Sequence, residues 1–331
     1  MKSTQVRQLL PAALGLAAVS LLAAPAAAAK FPSKPIELIC STSPGSGAAS
    51  WCHMVAANLQ KKEFLGVPVN VLFKSGGSNH EPVVYVQNKP ADGYTLFHIS
   101  GSFTGYFNLP HYKFGPQDFD MLARMERHIY ALAVRADSPF KTYKDVVAYA
   151  KKNPGKLALG SNKIGSIHHR HQETLHQTQG LNIRFVPYKG TGDVVKDVIG
   201  GHLKIGFAQP GKWARHVKAG KARVLLLLNE TRMTEKLFKD VPVPTDLGIK
   251  YNIPHQFQGF MVKKGTPKDR IDTLQKSLSK ISTVKAYKKY IKKQTHVIPD
   301  YNGDTSKLNA EMAAGTKKTR KLMVKLGILK K

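Results

Sequence analysis

Short apolar runs alternate with segments of helical period along this chain, and Gly/Ser turns join them. Runs suited to strands fall near 36–40, 69–73, 94–99, 131–135, 157–160, 183–186, 203–208 and 222–228. Helical patterns lie between them. Thr142 to Asp145 makes a capping box, followed by Val146, Val147 and Ala150 at helical spacing and a stop at Asn153-Pro154-Gly155. Asp193 to Ile199 gives a short helix closed by Gly200-Gly201, and Thr266-Pro267-Lys268-Asp269 opens another. Such alternation predicts an α/β fold with parallel sheets.

One unit carries more information than the rest. IELIC at 36–40 reads as a buried strand, STSPGSG as a turn, and Ala48, Trp51, Cys52, Val55, Ala56 and Leu59 as one face of a helix. For Trp51 that spacing favours the core over a pocket wall. Strand, glycine turn and helix start together aim free backbone N–H groups at whatever the turn holds. A phosphate P-loop is excluded, because PGSGAAS at 44–50 has no Lys. A dinucleotide turn is disfavoured: Ser50 replaces the third glycine, and VNVLFKSGG downstream has no acid.

Residues 156–176, KLALGSNKIGSIHHRHQETLH, repeat the design: apolar strand, Gly/Ser loop, helix start. Two such helix N-termini facing one cleft would each offer free N–H groups and about half a positive charge. That suits a carboxylate without a Lys or Arg in the site.

The chain begins with Lys2 and Arg7, an apolar stretch broken by Pro11 and Pro25, and a small-residue A-x-A site before Lys30. This reads as a secretory signal peptide, residues 1–29, rather than a membrane anchor. Export from a bacterium places the mature protein in the periplasm. About 300 mature residues are enough for two modest domains, and the 42% hydrophobic content is that of a globular protein. Removing Lys2 and Arg7 lowers the formal charge from +30 to +28. The basic residues are spread out and no nucleic-acid module is present, so the densest runs, KAYKKYIKK and KKTRKLMVK, read as solvated faces of late amphipathic helices. The charge can still draw anions from a distance.

Cys40 and Cys52 flank the first turn. An oxidising compartment permits a bridge between them. Positions in a core strand and on an inner helix face favour free thiols packed as small hydrophobes. Their Cα separation decides.

With these residues in view, the chain resembles the Bug family, periplasmic solute-binding proteins of tripartite tricarboxylate transporters. FPSKPIELI at 31–39 is similar to the family's Y-P-x-(R/K)-P-I opening, Pro44-Gly45 to its PGG turn, and KPADGYTLF at 89–97 to its x-P-D-G-Y-T-L strand. AYAKKNPGKLALGS at 148–161 matches the segment before the second loop. Gly165-Ser166 with His169 and Glu173 resembles G-S-x-x-H-x-x-x-E. VPYKGTGDVVKDVIGG at 186–201 is the most specific piece, and AGKARVLLL, VPTDLGI and KKGTPKDRIDTL follow in family order.

The resemblance implies a type II-like binding protein: two α/β domains joined by two crossing strands, with a ligand cleft between them. Residues 30–131 plus 256–331 would form one domain and 132–255 the other. It implies a carboxylate held by Pro44, Gly45, Ser46, Gly47 and Ala48 of the first loop and by Ser161, Gly165 and Ser166 of the second. His169 would lie close by, Tyr188, Lys189 and Gly190 would approach from the VPYKG turn, and Phe207 to Gln209 from the next strand end. Family members often carry an Asp where this chain has Ala49. No cofactor, no metal and no nucleic acid is expected. The expected partners are a small organic acid, aliphatic or aromatic, and inner-membrane permease subunits, with the receptor itself a monomer. An exported sensor or scavenger on the same fold is the alternative.

Two sharper readings come from side chains alone. His168, His169, His171 and His176 suggest zinc, but no HExxH is present and Glu173 is the sole carboxylate close by. Ser166 with a neighbouring His suggests a hydrolase, but there is no G-x-S-x-G elbow, and a serine at a helix start is better explained as a ligand donor. Neither displaces the binding-protein reading, which involves no catalysis.

Overall fold

A computed structural model describes residues 30–330 except 163–165, 189, 251–255 and 295. The leader read at 1–29 therefore lies outside the described residues, as do Gly165 and Lys189.

The elements run in order β1 (Ile36–Cys40), α1 (Gly47–Leu59), β2 (Val69–Phe73), α2 (Gly76–Gln87), β3 (Thr95–Ser100), α3 (Phe103–Tyr106), β4 (Phe119–His128) and β5 (Tyr130–Arg135). They continue with α4 (Tyr143–Lys152), β6 (Ala158–Asn162), α5 (Ile167–Gln177), β7 (Arg184–Tyr188), α6 (Thr191–Ile199), β8 (Ile205–Ala208), α7 (Pro210–Lys218) and β9 (Ala222–Leu228). The chain ends with β10 (Gln256–Lys263), α8 (Lys268–Thr283), α9 (Lys285–Lys293), β11 (Val297–Asn302) and α10 (Thr305–Lys325).

The strands form two sheets, one of order β11-β4-β10-β3-β1-β2 and one of order β7-β6-β8-β5-β9. All eight expected strands are present, and the capping box is made: Thr142 Oγ1 accepts from Asp145 N while Asp145 Oδ2 accepts from Thr142 N. The sheets are mixed and not parallel throughout. β10 runs antiparallel to β3 and β4, and β5 antiparallel to β8 and β9. The α/β class thus stands, and the antiparallel strands are where the chain passes between sheets. β4 and β5 are separated by Ile129 alone, whose N–H donates to the His296 carbonyl at 2.8 Å.

Both faces of each sheet are covered, which is why its strands read as apolar runs and not as alternation. In β1, Leu38 packs with Trp51, Phe260 and Leu278 on one face, and Ile39 packs with Phe97, Phe103 and Met121 on the other. In the second sheet Leu132 and Phe207 face one core, Ala131 and Ala208 another. Strands β4 and β11 escape the sequence pattern because charged residues interrupt them, and β10 because Gln256, Gln258 and Gly259 break its apolar run. Arg124 and Arg127 of β4 reach Asp300 of β11, and Arg124 also reaches Glu311 of α10. Gly259 marks a bulge in β10, where any Cβ would collide with the Ala123 carbonyl.

Trp51 is a core residue, fully buried and stacked on Phe260 with centroids 5.0 Å apart. Its indole N–H donates to Glu126 Oε2 at 3.0 Å, and His128 Nε2 meets the other carboxylate oxygen at 3.0 Å. Cys40 and Cys52 are bridged, with a Cα separation of 6.3 Å, so the free-thiol reading is corrected. Helix α1 folds straight back over the end of β1, which brings the inner helix face within bridging distance. The bridge closes a short loop around the first Gly/Ser turn. Replacing both cysteines by Ala is expected to lower stability by about 2–4 kcal/mol in urea denaturation. An unchanged midpoint would show that the bridge does not constrain the unfolded chain.

Candidate functional site

In each sheet one strand sits where the strand order reverses. β1 lies between β2 and β3, and β6 lies between β7 and β8, all pairing in parallel. The helix after β1 leads to β2 on one side while β3 returns on the other, and β6 repeats the arrangement. Such reversals open a crevice at the carboxyl ends of the strands, the usual place for ligands in α/β sheets. Both loops singled out from the sequence leave from these points.

At the first, Ser41 Oγ meets His98 Nδ1 at 3.1 Å, tying the ends of β1 and β3. Ser46 caps α1: its hydroxyl accepts from Ala49 N at 3.1 Å and lies 2.9 Å from Thr42 Oγ1. Gly45 takes a positive φ of 78°, open to glycine at no cost. The first intrahelical bond runs from Ser50 N to Ser46 O, so the N–H groups of Gly47 and Ala48 have no partner within the helix. Pro44, Gly45 and Gly47 are exposed, and Ser46 and Ala48 half-buried.

The second loop repeats this chemistry. Ser166 caps α5, accepting from His169 N at 3.3 Å and donating to the Asn162 carbonyl at 3.2 Å. Arg170 N bonds Ser166 O, which leaves the N–H groups of Ile167 and His168 ahead of the first helical bond. Neither α1 nor α5 has an acid in its first turn. The partial positive charge at both helix starts is therefore not neutralised from within.

Arg170 brings the two crevices together. It lies one turn into α5, is 1% exposed, and crosses to the segment following β3. Its Nη2 donates to the Gly101 carbonyl at 3.2 Å and its Nη1 to Thr104 Oγ1 at 2.7 Å and to Thr319 Oγ1 of α10 at 2.5 Å. The carboxyl edge of one sheet is thereby bonded to the helix start at the carboxyl edge of the other. Sequence reasoning passed over Arg170. Its signal was an arginine at helical spacing among positions that are otherwise buried.

The remaining candidates take varied places. Ser161 is fully buried and donates to the Phe207 carbonyl at 3.1 Å, clipping β6 to β8. Phe207 is buried and stacked on Tyr130. Gln209 caps α7 and accepts from Thr191 Oγ1 at 2.9 Å, which joins the end of β8 to the start of α6. Gly190 caps α6 with extended backbone and open space around its Cα. Tyr188 donates to Asp197 Oδ2 at 2.7 Å, and burial together with that carboxylate pushes its phenol up to about 12.

His169 is 6% exposed and stacks on Phe185 with centroids 3.9 Å apart. His168 and His171 pack edge-on against Tyr130. These rings are packing elements of the second sheet's core. Among the described residues, the only three His, Cys or acidic donors within joint reach of a metal are Cys40, Cys52 and His98, and the two sulfurs are bonded to each other. Ser166 commits its hydroxyl proton to a backbone carbonyl, a geometry unlike that of an activated nucleophile.

Burial lowers the imidazole of His98 to about 4, His168 to about 3, His169 to about 4, His176 to about 4 and His296 to about 3. The unfolded chain binds these protons near 6.5 and the folded chain resists them, so stability is full above about pH 6.5 and falls as pH drops toward 4. The melting temperature is expected to decline steadily between pH 7 and pH 4.5. In His168→Phe the decline should be shallower, and an equal slope would remove His168 from the effect.

A family model described as "Tripartite tricarboxylate transporter family receptor" matches residues 29–328. A UPF0065 protein from the gbd 5′ region of Cupriavidus necator is 33% identical over 324 residues, covering 96% of this chain and 94% of that one. A ligand-free crystal structure of a TctC solute-binding protein from Polaromonas superposes with a TM-score of 0.78 at 25% identity, covering 89% of this chain and 99% of that one. An adipate-bound protein from R. palustris shares the fold, with a TM-score of 0.72, 20% identity and coverage of 90% and 98%. The strand order, the paired helix starts and the nearly full-length match agree: this chain belongs to the tripartite tricarboxylate transporter receptor family, whose members are periplasmic solute-binding proteins.

Proposed function

We propose that this protein captures a small organic carboxylate between the crevices at β1 and β6 and delivers it to a tripartite tricarboxylate-type membrane permease. The observation that carries this reading is the pair of serine-capped, acid-free helix starts, with Arg170 of α5 bonded to Gly101 at the end of β3, beside the first crevice. The N–H groups of Gly47, Ala48, Ile167 and His168 have the polarity for one carboxylate, and the hydroxyls of Ser46 and Ser166 stand beside them. The adipate held by a protein of the same fold supports the ligand class.

The two sheets would act as the cores of two lobes, divided at Ile129, where the chain passes from one to the other. Ligand contact with both loops stabilises the closed arrangement only by its differential affinity for closed over open. The permease would recognise that closed form. The protein would work as an exported monomer without catalysis. Release into the periplasm would follow removal of residues 1–29. Among the described residues no helix is long and apolar enough to cross a membrane.

A calorimetric titration with mono-, di- and tricarboxylates tests the reading. One carboxylate should bind saturably, and Ala48→Asp should weaken it roughly tenfold or more, because a like charge then stands at the helix start. The same change should leave or raise the melting temperature, since an acid there favours the helix dipole. Failure of every carboxylate to bind, or an unaltered affinity in Ala48→Asp, would overturn the proposal.

A further inference from the structure

A cavity of about 1010 Å³ lies between α5, α10 and β4, and among the described residues of the proposed loop site only Ile167, through its side of α5, also lines it. Its walls are mainly apolar, with Met121, Ile167, Phe257, Leu308, Met312 and Leu322 among them. The size is that of a small-molecule site, roughly 300–1,000 Å³. Its charged lining is unbalanced. Arg124 and Arg127 are met by Asp300, Glu311 and Glu230. Lys318 and Lys321 on the exposed side of α10 have no acidic partner among the described residues.

Arg170 lines the cavity at 1% exposure and is the strongest anomaly in the molecule. Its three hydrogen bonds go to two hydroxyls and a carbonyl, all neutral. Among the described residues it has no carboxylate partner, and its Nε is a buried donor without an acceptor. Burial pulls the guanidinium down to about 10, the direction expected of a cation lacking a counter-charge. A guanidinium has five N–H groups, so two remain: one on Nε and one on Nη2. These are adjacent nitrogens, and their spacing matches the two oxygens of a carboxylate.

We propose that this cavity is a second ligand site, one for an amphiphilic carboxylate whose head pairs with Arg170 and whose apolar body lies along Met121, Leu308 and Met312. Buried cations are paired or hydrogen-bonded to anions when their sites are complete. Lys318 and Lys321 would draw the anion to the mouth. Apart from Ile167, whose backbone N–H belongs to the proposed loop site and whose residue lines the cavity, the site differs from the loop site in lining and in ligand, because helix N–H groups take a small anion and need no apolar wall.

The probe is decanoate, titrated calorimetrically, with decyltrimethylammonium as the same chain bearing a cationic head. Decanoate should bind saturably and the cation should not. Ala314→Trp, at an exposed position lining the cavity, should abolish decanoate binding and leave small-carboxylate binding unchanged. Arg170→Gln should weaken decanoate roughly tenfold or more, the scale of one charged hydrogen bond. Ala48→Asp should leave decanoate affinity intact. The proposal is overturned by no saturable decanoate binding, by equal binding in Ala314→Trp, or by loss in Ala48→Asp, which would put decanoate in the loop site. Failure of small carboxylates alone would overturn the loop site and not this one.

Discussion

The passage from β4 to β5 through the single residue Ile129 constrains everything else in the molecule. β4 is held in the first sheet by β10 and β11, and β5 in the second by β8 and β9. Neither strand can slide without breaking two ladders and misplacing side chains packed on both faces of its sheet. Beside the crossing, Glu126 is fully buried and accepts from Trp51 and His128. An unpaired carboxylate there would be costly, so α1 is positioned through its tryptophan as well as through its apolar face. The disulfide adds a second tie at the other side of the same turn. The first loop is therefore held at both ends while its middle stays exposed.

Charge acts at two ranges in this protein. A formal excess of +30 makes the surface attractive to anions at low salt, and screening over about 8–10 Å limits that reach. At close range the described loop residues contribute no Lys or Arg side chain. In the proposed site, backbone N–H groups and helix dipoles would take that role, and they cost no side-chain entropy when a ligand arrives. Arg170 stands apart from both ranges. It is buried, joins the two sheets through neutral partners, and keeps two donors in reserve.

Much of the candidate site was legible because helix starts are local. Ser46 and Ser166 cap their helices as the strand–loop–helix pattern implies, and only a few neighbouring residues are needed to establish that. Ser161, Tyr188 and Gln209 were legible as positions but not as hydrogen-bond partners. Their hydroxyl, phenol and amide meet Phe207, Asp197 and Thr191, and pairings across strands depend on register. The histidines were not placed by the sequence, which only set a zinc site aside. Four imidazoles within nine residues resemble a ligand cluster in one dimension, yet His168 and His171 pack on Tyr130, His169 on Phe185, and His176 is buried.

The amino-acid sequence by itself determined the α/β class, the eight expected strands, the capped helices and the two Gly/Ser turns, since each follows from contacts within about ten residues. Tertiary structure decided the rest. The antiparallel strands β4 and β11 became visible only when Arg124 and Arg127 found Asp300 across the sheet, and β10 only when it paired between β3 and β4. The Cys40–Cys52 bridge depended on how tightly α1 folds over β1, a distance that no spacing encodes. Arg170 acquired its meaning only when Gly101, Thr104 and Thr319, distant in the chain, closed around it. Local propensity is written residue by residue, whereas burial and charge pairing are properties of the packed chain.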